Sequence, residues 1–189
     1  MNTGCNNNKV NNSKQYNNSK TTKILYVVRH AKSSWADASL SDFDRPLKKS
    51  GVNDAHIIGK ILASKNVKPD IILSSSANRA RTTANILAQE IFHSDKEKKI
   101  ITDKTIYYAS ISDIIDIIEH LDDSLQSVML VGHNPSSTIL ANYLTYKYFD
   151  KMPTCGVIAI SFNISEWNMI KKNTGKLIFF EYPKKYKTE

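Results

Sequence analysis

The chain holds 189 residues, 41% of them hydrophobic and 23% charged, the size and balance of one globular domain. It contains no run of eighteen apolar residues, so a transmembrane helix is excluded. Its net charge of +8 would suit a polyanion binder, but the placement of that charge argues against one. Residues 1–23 contribute +4 and residues 184–189 contribute +2, leaving +2 for everything between. Only four of the 26 basic residues are arginine: Arg29, Arg45, Arg79 and Arg81. A nearly neutral body with lysine-rich ends lacks the arginine-rich surface of a nucleic-acid reader. Neither nucleic acid nor a membrane is expected as a partner, and with no evident apolar seam a monomer is expected.

Residues 1–22 form an Asn/Lys/Ser tract with little apolar content, predicted to be disordered. A single folded domain is placed at 23–183 and a short basic tail at 184–189. Cys5 and Cys155 make neither a disulfide framework nor a zinc-ligand spacing, so no metal or cofactor is expected. The N-terminus shows no apolar signal stretch, and Asn2 stands where myristoylation needs glycine, so a cytoplasmic location is expected.

From residue 24 the pattern alternates. The run at 24–28 (ILYVV) reads as a strand buried on both faces. Ser50 can cap a helix over 51–66, with Val52, Ala55, Ile58, Gly59 and Leu62 on one face. A second buried strand follows at 70–73, then a helix over 77–92 with Ala80, Ala84, Leu87 and Ile91 inward. Strand-like residues 100–107 precede a helix at 111–121. Another buried strand at 126–131 precedes a helix at 135–148, with Pro135 in its first turn. The last strands fall near 156–162 and 176–181. Strands alternating with helices predict an α/β fold, layered α/β/α with a mainly parallel central sheet.

Ligands of such sheets bind beyond the carboxyl ends of the strands. Arg29 and His30 follow the first strand there. Ser74 follows the second, with Arg79 at the start of the next helix, and His133 and Asn134 follow the strand at 126–131. Two histidines and two arginines are thus expected to meet at one sheet edge, although each alone would pass for a structural or surface group. Arginine presents a planar fork of donors that fits phosphate oxygens bidentately, and a helix N-terminus near residues 78–79 would add N–H groups. No GxxxxGK[ST] loop is present, which excludes nucleotide binding through a P-loop. A phosphate site with two histidines and no acidic metal cluster points to covalent catalysis by an imidazole.

At these residues the chain resembles the histidine phosphatase superfamily, also called phosphoglycerate-mutase-like. RHAKSSW, LSDFDRPLKKSG, SSSANRARTTA and LVGHNP occur in order and resemble its SixA-type phosphohistidine phosphatase branch in particular. Ala31 stands where much of the superfamily has glycine; the SixA-like branch often reads RHAK. The resemblance implies a metal-independent phosphatase in which His30 is the nucleophile. Arg29, Arg79 and His133 would surround the phosphate oxygens, with His133 cationic when substrate is bound. Ser74, Asn134 and Lys32 are further candidates for substrate contact. Arg45 either lines the phosphate pocket or pairs with Asp42 or Asp44 to fix its loop. Arg81 is expected at the rim or in a structural role, and His56, His93 and His120 on the surface.

Many members of the superfamily carry an acid that protonates the leaving oxygen. The matching stretch here is Tyr107-Tyr108-Ala109-Ser110, without one, and Asp113 is expected inside the next helix. A positioned acid contributes typically ~10²–10⁴-fold. Its absence favours phosphoramidate substrates, whose protonated imidazole leaves readily, over sugar phosphates and over mutase chemistry. The expected partner is a phosphorylated protein, with a small phosphorylated substrate as the alternative. A non-catalytic phosphate-binding module would lack the histidine nucleophile that this chain has.

Overall fold

The computed structural model describes residues 22–92 and 99–187; the Asn/Lys-rich tract up to residue 21, and His93, lie outside them. Six strands form one sheet: β1 (Thr22–Arg29), β2 (Ile71–Ser75), β3 (Ile100–Asp103), β4 (Ser127–Gly132), β5 (Val157–Asn163) and β6 (Lys176–Glu181). Their order is β3-β2-β4-β1-β5-β6. The pairs β3–β2, β2–β4 and β4–β1 are parallel, and β5 runs antiparallel to both β1 and β6. Among the described residues the α-helices are α1 (Lys49–Ser64), α2 (Asn78–Ile91), α3 (Ile111–Glu119) and α4 (Ser136–Leu144). The predicted layered α/β fold with a mainly parallel sheet is observed.

Side chains alternate across a strand, and β1 divides its burial between two cores accordingly. Leu25 and Val27 pack with Ile114, Ile118, Leu140 and Leu144 of α3 and α4. Tyr26 and Val28 pack with Ala55, Ile58 and Leu62 of α1 and Ala84 and Leu87 of α2. Both faces of the sheet are therefore apolar, which is why β1, β2 and β4 read as continuous runs rather than alternating ones.

Several boundaries differ from those expected. The stretch 100–107 is strand only to Asp103, whose Oδ1 accepts the Thr105 N–H at 2.7 Å. This Asx turn starts a 3-10 turn over Thr105–Tyr107. The helix expected over 135–148 ends at Leu144, because Thr145 turns extended and its Oγ1 donates to Ala141 O at 2.9 Å. Ser50 does not cap α1. Lys48 holds the cap position, its N–H tied to Lys32 O across the loop at 2.8 Å.

Charge at the chain ends is also placed differently. Lys23 is fully buried: its Nζ donates to Leu125 O at 2.8 Å and lies 5.5 Å from the Trp167 ring centre. The segment expected as a basic tail from 184 begins in a 3-10 turn over Pro183–Tyr186. Lys185 there meets Glu181 at 3.2 Å, and Lys187 reaches Asp54 at 2.5 Å. Buried carboxylates attract these lysines, so the charge is part of the packed body rather than of a free end. Among the described residues no helix is long and apolar enough to cross a membrane.

Candidate active site

The carboxyl ends of three adjacent parallel strands, β2, β4 and β1, build the site. Arg29 closes β1 opposite Gly132, the last residue of β4. His30 continues from β1, its N–H bonded to Gly132 O at 3.0 Å. His133 follows β4, and the two imidazole centres lie 5.0 Å apart. Arg79, in the first turn of α2, directs its Nε–H to His30 Nε2 at 3.2 Å. The four residues that head the sequence prediction, Arg29, His30, Arg79 and His133, are therefore brought together.

His30 is held in one tautomer. Its Nδ1–H donates to Ala31 O at 2.7 Å, so Nε2 carries the lone pair. Burial pushes its pKa down to about 4, with the cationic arginines Arg79, Arg29 and Arg45 adding to the effect. A neutral imidazole with a fixed lone pair is the nucleophilic form. His133 is also neutral in this arrangement: burial, His30 and Arg79 push its pKa down to about 3. A phosphate dianion beside it would raise that value, as a cationic role in the substrate complex requires.

Ser75 sets the other histidine. Its Oγ accepts the Ala77 N–H at 3.3 Å and lies 2.8 Å from His133 Nε2. When the hydroxyl donates to Nε2, His133 Nδ1 carries the proton, and this buried atom has no partner. The Nε of Arg29 is likewise buried without a partner, while its Nη1 donates to Met152 O at 2.7 Å. Buried N–H donors left without acceptors are costly; beside a basic histidine–arginine cluster they suit an anion.

The remaining candidates fall elsewhere. Ser74 is fully buried and its hydroxyl donates to Ser75 O; the serine that meets His133 is its neighbour, one residue on and on the opposite face of β2. Asn134 engages its amide in structure, donating to Met152 O at 3.1 Å and accepting from Thr138 at 3.1 Å. Lys32 is exposed; its part in the site is its backbone carbonyl, tied to Lys48. Arg45 takes the loop-fixing role, with Nη1 on Asp42 Oδ1 at 2.6 Å, Nη2 on Ser33 Oγ at 2.7 Å and Nε on Ser34 O at 3.0 Å. Its guanidinium also stacks on Trp35, 3.1 Å from the ring centre. Asp113 forms a capping box with Ser110 at the start of α3. His56 pairs with Glu90 at 2.7 Å and His120 is exposed.

Asp42 and Tyr107 adjoin the cluster, although sequence reasoning offered Asp42 only as a partner for Arg45 and Tyr107 only as part of a stretch without an acid. Asp42 Oδ2 accepts from Arg79 Nη2 at 2.8 Å and from the Tyr107 hydroxyl at 2.5 Å, and its backbone oxygen accepts from Arg79 Nη1. The Tyr107 hydrogen bond is the largest of the effects that hold the Asp42 carboxyl down near about 2, with Arg79 and Arg45 adding to it. The Tyr107 ring stands edge-on to His133 at 5.3 Å. The loop carrying Asp42 also crosses the start of α2, where Phe43 O accepts the Asn78 N–H at 3.0 Å. That helix N–H, expected to face phosphate, is therefore engaged.

Comparisons with known proteins bear on the family of the chain. Residues 25–103 match the model of the histidine phosphatase superfamily, branch 1. An uncharacterized chloroplastic protein of Arabidopsis thaliana is 30% identical over 154 residues, covering 77% of this chain and 69% of the relative. The crystal structure of a putative phosphohistidine phosphatase SixA from Agrobacterium tumefaciens is 30% identical, with a TM-score of 0.70 over 85% of this chain and 99% of the other. A 2,3-bisphosphoglycerate-dependent phosphoglycerate mutase of Bifidobacterium longum is 39% identical over 67 residues, 34% of this chain and 27% of that enzyme. The chain belongs to the histidine phosphatase superfamily, in its SixA-like branch. Its family, and the solved structure 30% identical to it, are those of phosphatases.

Proposed function

We propose that this phosphatase removes phosphoryl groups from phosphohistidine in proteins, with His30 as nucleophile. The observation that carries the reading is the pair His30–Arg79: a neutral imidazole, tautomer fixed by Ala31 O, with a guanidinium donating to its unprotonated nitrogen. His30 Nε2 attacks phosphorus and forms a P–N bond as the substrate's P–N bond breaks. The substrate histidine, protonated on its other ring nitrogen, leaves as neutral imidazole, the electron pair of the broken P–N bond returning to the leaving nitrogen. Water then attacks the phosphorylated His30, releasing inorganic phosphate and restoring the imidazole. Arg29, Arg79 and His133 stabilise the charge on the phosphoryl oxygens in both steps.

The leaving group is where the substrate reading rests. The carboxylate bonded to Arg79, Asp42, is held ionised by Tyr107 and two arginines, so it is a poor proton donor to an alkoxide. A phosphoramidate needs no such donor. The short stretch between β1 and α1 carries no inserted domain over the site, which suits a protein-borne substrate. Phosphoglycerate mutase similarity supports a second reading, a small-molecule phosphomonoesterase. Assaying a phosphohistidine peptide against p-nitrophenyl phosphate and 3-phosphoglycerate separates them: the peptide should have much the higher kcat/KM. Equal or better turnover of the esters overturns the phosphohistidine reading. Acid-labile label trapped on wild type and absent from His30→Ala identifies the nucleophile.

A further inference from the structure

A groove leads away from the phosphate site. It begins at a cavity of 540 Å³ lined by Arg29, Asn134, Tyr148 and Lys151. That cavity adjoins a smaller one through Asn142 and Tyr148. The second in turn shares Tyr146, Lys147 and Asn173 with a third of 630 Å³, which ends at Lys176 and Leu177 on the first residues of β6. The groove thus runs from a phosphate-site arginine past the C-terminal end of α4 to the sheet edge.

Its floor is rigid. Asn142 bonds both the N–H and the C=O of Phe149, at 2.8 and 2.9 Å. The loop opposite is pinned to the end of α4 by Asn173 N–H on Tyr143 O and Gly175 N–H on Leu144 O. Gly175 admits no side chain, since a Cβ there would lie 2.4 Å from Ile160 and 2.9 Å from Leu144 O. On this frame Tyr146 and Tyr148 are 86% and 78% exposed, beside Ile139 at 45%. Large exposed aromatics grouped on a rigid frame mark a recognition surface rather than scattered surface residues. Lys147, Lys151 and Lys176 line the groove against one acid, Asp150.

We propose that this groove binds an acidic polypeptide segment flanking the phosphorylated residue, so that the substrate protein is selected by charge as well as by its phosphoryl group. The inference rests on the protein-phosphohistidine reading above and names its substrate class. Charge complementarity points to an acidic partner, and a groove of several joined cavities exceeds what a small phosphate ester would fill. The tyrosines would supply contact area at low entropic cost.

The test uses the full chain and two phosphohistidine dodecapeptides, one flanked by glutamates and one by lysines, with phosphoramidate as the small comparator. The acidic peptide should have a KM lower by about tenfold. Lys147→Glu combined with Lys176→Glu should remove that preference while phosphoramidate turnover and urea midpoint stay unchanged. Lys60→Glu, on the exposed side of α1, should leave the preference intact. Equal KM for both peptides, or an equal loss in Lys60→Glu, overturns the groove and leaves the phosphohistidine reading standing. Turnover of phosphoramidate with neither peptide accepted overturns the protein-substrate reading itself, and the groove with it.

Discussion

The Nε–H of Arg79 donates to Nε2 of His30 at 3.2 Å, so a buried guanidinium and the unprotonated nitrogen of a buried imidazole face each other. A phosphoryl group attacked by that nitrogen arrives beside a cation that is already in place, which is electrostatic preorganisation. Lysine at 79 would keep the charge and lose the fork that spans His30 and Asp42 at once. Arg79→Lys should lower kcat/KM for a phosphohistidine peptide by about 10²–10³-fold, the usual cost of losing one preorganised donor. Steady-state kinetics on the folded variant decide this, and near-normal turnover would remove Arg79 from the reaction.

The two buried histidines predict how stability depends on pH. Both titrate at about 6.5 when unfolded, but only near about 4 (His30) and about 3 (His133) in the fold. Between those limits the unfolded chain binds more protons, so stability falls as pH drops from about 6.5 towards 4. Asp42 acts in the same direction in a lower window, from about 3.8 down to about 2. Urea unfolding at several pH values should show the decline beginning above pH 5, where carboxylates contribute little. His133→Gln should make that slope shallower; an unchanged slope would show that His133 titrates normally in the folded chain.

The sheet and the four principal site residues were legible because both leave local marks. Strands buried on two faces produce short apolar runs such as 24–28, and residues at their carboxyl ends follow those runs directly in sequence. Arg29, His30 and His133 could be found that way. What failed to show depends on which way a side chain turns. Ser74 and Ser75 are equivalent in a run of serines, and only the pleat of β2 decides that Ser75 meets His133. Asp42, on a loop, and Tyr107, in a 3-10 turn, are 65 residues apart, and no periodicity in either stretch announces their contact. Lys23 looks like part of a basic tail until Leu125 O and Trp167 are placed around it.

Asp42 is the carboxylate that unites Arg79, Arg45 and Tyr107. Asp42→Asn keeps the shape but replaces one acceptor oxygen with a donor that faces other donors. Hydrogen bonds to charged groups are worth about 1.5–3 kcal/mol each. Half-exposure of Asp42 reduces that figure, so a net loss of about 1–2 kcal/mol in urea unfolding is expected. Because the variant also frees the Arg79 fork to turn, affinity for vanadate as a phosphate analogue should weaken. A variant with lower stability but unaltered vanadate affinity would limit Asp42 to fixing the loop.

Gly51 supports the nucleophile from a distance. A Cβ there would lie 2.2 Å from Lys32 O and 2.9 Å from Lys32 N, both backbone atoms that can yield only if the loop shifts. Lys32 follows Ala31, whose carbonyl fixes the His30 tautomer and whose N–H is held by Thr83 Oγ1 at 3.0 Å. Gly51→Ala should therefore cost about 1–3 kcal/mol of stability, as overpacking does, and also lower kcat for molecules that remain folded. Gly59 provides the contrast. Its added Cβ would meet the Glu90 side chain at 2.6 Å, in the α1–α2 contact away from the site. Gly59→Ala should lose stability with kcat per folded molecule unchanged. Equal kcat in the two variants, measured well below their melting temperatures, would show that the loop holds His30 without help from Gly51.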